Sequence, residues 1–129
     1  MNYTPILVKV YAVTQGLVGL ALLFTPESAG VFDYSVDTAG LVLFQLVGAA
    51  FLGFGMGNWT ARESILGGIY GRAVVTGNQT FSFIGATVVI SAFPENGGWA
   101  YFLMAGVLIA GMILFSILQF RPDWLNYSK

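Results

Sequence analysis

Four apolar runs, with every proline of the chain at one of their boundaries, leave this sequence few ways to fold. The first, Ile6 to Phe24, follows Thr4 and Pro5 and stops ahead of Pro26. The second runs from Leu41 to Trp59. The third begins as an interfacial stretch at Ile65, crosses from about Ala73 to Phe93 and stops at Pro94, and the fourth runs from Trp99 to Phe120, ahead of Pro122. At 1.5 Å per residue, each run covers a hydrocarbon layer about 30 Å thick. All four prolines fall at boundaries, where a missing N–H costs least. Thr4 and Pro5 suit an N-cap and a first helical position, and Asp37 or Thr38 suits the cap of the second helix. The pattern predicts an all-α integral membrane protein: one transmembrane domain, a four-helix bundle, with helices over about 6–24, 41–59, 65–93 and 99–120.

Composition agrees with the pattern and removes whole classes of function. Hydrophobic residues make up 57% of the chain and charged residues 9%, with a mean hydropathy of +0.78. Soluble domains carry about 25% charged residues. The chain has no Cys and no His, which removes disulfides, thiol chemistry, imidazole metal ligands and His-based proton transfer. Its five Lys and Arg are too few to clamp a phosphate backbone, so nucleic acid is not an expected partner. The N-terminus has no cationic region before its apolar run and no small-residue cleavage site after it, so the first run reads as a retained helix.

The charges predict an orientation. Lys9 lies in the first helix, Arg62 and Arg72 flank the middle connection, and Arg121 and Lys129 lie in the tail. The other two connections hold Glu27, Asp33, Asp37 and Glu95 and no cation, so they read as outer, solvated loops. Short cytoplasmic loops are the ones enriched in Lys and Arg, which puts both termini and the middle connection inside. Trp59, Trp99 and Trp124 sit at predicted boundaries, as an aromatic belt requires. The Asn-x-Ser/Thr matches at Asn2, Asn58, Asn78 and Asn126 fall inside or within the membrane and read as chance.

Ala49, Gly53 and Gly57 are spaced by four on the second helix, a stripe over which another backbone can approach closely. Gly67 with Gly71, Ala12 with Gly16 and Gly106 with Ala110 repeat the spacing. Packing within the bundle is the favoured reading over a dimer face, and Gly53→Leu is then expected to disrupt the bundle. A short internal repeat also shows: helices 1 and 3 leave through FTPES and FPEN, and helices 2 and 4 end in Asn58-Trp59 and Asp123-Trp124. It predicts two hairpins in the same orientation.

Polar groups inside the runs are the candidates for a site. Gln15 lies halfway along helix 1, and Asn78 and Gln79 lie at a comparable depth in helix 3, with Gln45 nearer the outer face. The favoured reading joins Gln15 to Asn78 or Gln79 as glue between helices, worth about 1 kcal/mol. The alternative is a pocket in which these amides hold a polar headgroup or ring. Near the inner face, Lys9 and Arg72 lie about a turn inside the boundary, with Asn58, Thr60, Arg62 and Glu63. Snorkelling to the headgroups is the plain reading. The sharper one makes Arg62 and Arg72 a site for an anionic lipid headgroup or small anion, with Glu63 pairing one of them when the site is empty.

No Asp or Glu lies deep in a run, so no carboxylate is placed to exchange protons for a substrate. No filter-like loop or ring of charges points to a channel. No nucleophile with a base, no paired carboxylates and no metal-ligand set occur within the runs, so the sequence points away from an enzyme and implies no cofactor.

In order, FTPES, then LFQLVGAAFLGFGMGNWTAR, then a glycine-rich third helix entered through IYGRAVVTGN, the chain resembles the small four-helix DoxX-like membrane proteins of bacteria. The resemblance covers nearly the whole chain. It implies a four-helix bundle in the bacterial cytoplasmic (inner) membrane, and some such proteins resemble subunits of respiratory or thiol-oxidation assemblies. It carries over no catalytic residue. The sequence thus predicts a non-catalytic accessory subunit of a larger membrane complex or a self-associating module, surrounded by membrane lipids. The alternative is a binder or carrier of a lipid, quinone or other amphipathic molecule, using the amides and the inner arginines.

Overall fold

The computed structural model describes residues 3–25, 38–91 and 99–120, without the side chains of 39, 99 and 100. The described residues form four helices and no strand: α1 (Thr4–Phe24), α2 (Thr38–Ala61), α3 (Gly68–Ser91) and α4 (Trp99–Phe120). Each is long and apolar enough to cross a membrane, the pattern of a multi-pass membrane protein. Outside the described residues lie Pro26, Pro94 and Pro122, the acids Glu27, Asp33, Asp37 and Glu95 expected in outer loops, and also Arg121, Trp124, Lys129, Asn2 and Asn126.

Helix boundaries differ from the expected ones where polar ends continue an apolar run. Thr4 is the first residue of α1 and Tyr3 takes the cap position, so Pro5 sits one place further in than expected, still within the turn whose N–H groups lack helical acceptors. The third helix begins at Gly68, not at Ile65. Residues 62–67 form a turn held by Ser64 N–H on the Ala61 carbonyl (2.9 Å) and Gly67 N–H on the Ser64 carbonyl (2.8 Å). Gly68 has φ +65°, a conformation that glycine adopts without strain, and this breaks the helical path. The turn still belongs to the core, because Ile65 is 2% exposed.

The chain packs as two hairpins. α1 lies closely on α2 and α3 on α4, whereas α2 meets α3 and α1 meets α4 mainly through side chains. The close α1–α2 approach is made by Gly19 facing Gly48 and by Gly55 facing Ala12 and Gly16, where an added Cβ would come within 3 Å of backbone atoms. Ala49, Gly53 and Gly57 do not make it. They face outward, and a Cβ at Gly53 or Gly57 would meet no atom within 4 Å. The stripe therefore does not pack the bundle: on a helix with 3.6 residues per turn, Gly48 and Gly55 lie on the α1 side and the stripe lies on another. Between the hairpins, Tyr11 meets Phe115 edge-on at 5.5 Å, and Phe81 stacks on Phe54 at 4.4 Å.

Polarity is inverted relative to a soluble protein. Gln15, Asn58, Asn78 and Ser82 are buried, while Leu17, Ile69, Ile84 and Phe102 are exposed. A hydrocarbon solvent favours that arrangement, because apolar side chains lose nothing outside and amides must find partners inside.

Candidate functional site

Three carboxamides from three helices meet in the core. Asn58, in the last turn of α2, donates to Gln15 Oε1 on α1 (2.7 Å) and to Asn78 Oδ1 on α3 (2.8 Å). Asn78 returns a bond to Asn58 Oδ1 (2.8 Å) and gives its other N–H to the Val74 carbonyl one turn back (2.9 Å). Both asparagines thus have every amide N–H engaged. Gln15 is fully buried, yet its Nε2 has no hydrogen-bond partner among the described residues.

This arrangement joins some of the expected residues and separates others. Gln15 and Asn78 share one cluster, but through Asn58, which sequence depth had placed with the inner arginines. Gln79 is not part of it and reaches Ser116 on α4 instead (3.4 Å). Gln45 sits in the N-terminal part of α2, near the end of α1, donating to the Leu23 carbonyl (3.3 Å). A second polar contact was not anticipated. The Tyr11 hydroxyl, one turn before Gln15, donates to the Val107 carbonyl (3.1 Å) and lies 3.4 Å from Ser82 Oγ, one turn after Asn78. Gly111 makes room for it, since a Cβ there would overlap that hydroxyl. Chemically the core is a set of neutral amides and hydroxyls, suited to fixing helices against one another.

At the other end of the apolar stretch, Trp59 gathers charge. Arg62 Cζ lies 4.7 Å and Lys9 Nζ 5.4 Å from the indole centroid. Arg62 also donates to the Trp59 carbonyl (2.5 Å) and lies 3.5 Å from Glu63. Glu63 pairs one arginine, but the second cation at Trp59 is Lys9, some fifty residues away in sequence, and not Arg72. Arg72 stands on the exposed side of α3.

Because the hairpins meet loosely, grooves open on the surface between them. The α2–α3 groove, about 360 Å³, is lined by Ala50, Gly53, Phe54 and Gly57 on one side and by Ala73, Val74, Gly77 and Asn78 on the other. The α1–α4 groove, about 500 Å³, includes Tyr11, Thr14, Gly106 and Ala110. Gly53 and Gly57 of the outward stripe therefore belong to one wall of a groove whose other wall also carries small residues, Ala73 and Gly77. Comparison with known proteins finds no matching family model, no matching curated protein and no matching solved structure.

Proposed function

We propose that this chain is a non-catalytic accessory subunit of a membrane complex, docking an apolar transmembrane helix of a larger subunit in the α2–α3 groove. The observation that carries the reading is the outward face of Gly53 and Gly57, opposite Ala73 and Gly77. In a bilayer, helices associate where small residues let backbones approach, because burial of apolar surface supplies no drive there. Glycine and alanine on both walls, beside Phe54 and Val74, suit a ridge of larger side chains from an incoming helix. The resemblance to DoxX-like proteins supports a bacterial cytoplasmic membrane as the setting, and the cations at Lys9, Arg62 and Arg72 support an inward-facing middle turn. The reading as a carrier of a quinone or lipid within the bundle is less favoured, since Asn58 and Asn78 already use their donors on protein acceptors.

Native mass spectrometry of the full chain, extracted from its own membrane in mild detergent, tests this. Release at fixed stoichiometry with a larger subunit, lost in Gly53→Leu, is the expected result. A homo-oligomer lost in Gly53→Leu would make a second copy the occupant. A lone chain carrying a defined small mass would overturn the subunit reading in favour of the carrier.

A further inference from the structure

Two cations on one indole need an explanation. An aromatic face attracts a cation, but Lys9 and Arg62 repel each other, and among the described contacts a single carboxylate, Glu63, reaches one of them. Glu63 is 72% exposed, so its hold on Arg62 is loose. The cluster keeps an excess of positive charge beside a tryptophan at the end of a membrane-length helix, where indoles sit at headgroup level.

Trp59 is also the mouth of a groove. From Trp59 and Thr60 it runs between α1 and α2 past Met56, Val13 and Gly16, about 210 Å³ in volume. Counted along α2, it leads from the helix end toward the middle of the apolar stretch. Gly16 leaves its floor open, since a Cβ there would meet nothing within 4 Å. A cationic, tryptophan-edged mouth joined to an apolar furrow matches a phosphate-bearing headgroup joined to an acyl chain.

We infer that Lys9, Trp59 and Arg62 bind the anionic headgroup of a phospholipid whose acyl chain lies in the α1–α2 groove. The ammonium and the free guanidinium N–H groups donate to phosphate oxygens, bonds stronger than those between neutral groups. Glu63 holds Arg62 when no lipid is present and gives way to the phosphate. The site lies on a different face from the α2–α3 groove and does not depend on what docks there.

The test uses delipidated full-length protein in detergent, given equal amounts of phosphatidylglycerol and phosphatidylcholine with identical chains, with bound lipid read by native mass spectrometry. The wild type favours phosphatidylglycerol, each cation contributing about fivefold. In Lys9→Gln/Arg62→Gln the bound ratio falls to near one, while Arg72→Gln keeps the wild-type ratio. Gly16→Leu fills the groove and lowers binding of both lipids without changing their ratio. No preference in the wild type, an unchanged ratio in the double variant, or an equal fall in Arg72→Gln would overturn the inference. Competition by inorganic phosphate with no effect of Gly16→Leu would place a free anion at the cations and overturn the lipid assignment.

Discussion

Asn58 and Asn78 close a two-bond amide ring, each donating to the other over 2.8 Å, across the junction where α2 and α3 otherwise meet loosely. The pair links the two hairpins, and Gln15 ties α1 to the same point through Asn58. Apolar packing distinguishes poorly among ways of setting one hairpin against another. A reciprocal amide pair has one register, so it specifies the arrangement as well as stabilising it.

Losing both partners of that ring should therefore cost less than the two single losses added together. Asn58→Leu leaves Asn78 and Gln15 with buried groups unpaired, a loss of about 1–3 kcal/mol. Asn58→Leu/Asn78→Leu removes both members of the ring and so strands neither asparagine, though Gln15 Oε1 still lacks its donor, and its cost should fall below the sum of the single variants by about 1 kcal/mol. Reversible unfolding of the four proteins in detergent measures the coupling. Additive costs would show that the ring contributes nothing as a unit.

Gln15 should behave differently although it is equally buried. Its Nε2 is already without a partner, so Gln15→Met removes an unsatisfied donor while stranding one N–H of Asn58. The two effects oppose, and the net change should stay within about 1 kcal/mol. The same unfolding measurement checks this, and a loss as large as that of Asn58→Leu would contradict it.

Much of this fold is legible in the residues, and the illegible part has a physical cause. Four apolar runs of membrane-spanning length lead directly to four helices, because a bilayer permits so few alternatives. Asn58 is harder. Depth counted along α2 puts it near the inner boundary, but Gln15 reaches it from α1, and that register depends on how Gly19, Gly48 and Gly55 set the helix pair. The meeting of Lys9 with Trp59 depends on the same register. Spacing by four marks Ala49, Gly53 and Gly57 as a face without saying what it faces. Gly48 and Gly55, spaced by seven, carry the stripe that packs.

Substitution separates the two glycine faces of α2. In Gly55→Leu the new Cβ would lie 2.9 Å from the Ala12 carbonyl oxygen and 3.0 Å from Gly16 N, backbone atoms that cannot turn aside. The α1–α2 pair must open, at about 1–3 kcal/mol or more. In Gly53→Leu the new Cβ meets no atom within 4 Å and the side chain starts into an outward-facing groove, so the isolated monomer should keep its stability within about 0.5 kcal/mol, contrary to what the spacing alone predicts. Thermal unfolding of the monomer in detergent discriminates, and equal losses at both positions would show that the outward face is covered within the chain.

The last contact between the hairpins turns on a missing side chain. Tyr11 reaches the Val107 carbonyl and Ser82 only because Gly111 has no Cβ to block its hydroxyl. Gly111→Ala should displace the tyrosine, break both contacts and loosen its edge-on packing against Phe115, for a loss of about 1–3 kcal/mol. Tyr11→Phe alone forfeits the hydrogen bonds but keeps the ring in place, at a cost of about 1 kcal/mol. In the Tyr11→Phe background the alanine no longer meets the tyrosine hydroxyl, although Ser82 Oγ, at 2.5 Å from the built Cβ, and the ring carbon that bore the hydroxyl, at 2.6 Å, stay close. Part of the clash is therefore relieved and part remains. The double variant should be more stable than the sum of the two losses implies, yet less stable than Tyr11→Phe alone. A double variant as unstable as strict addition requires would mean that Gly111 acts through its own helix rather than through the tyrosine hydroxyl.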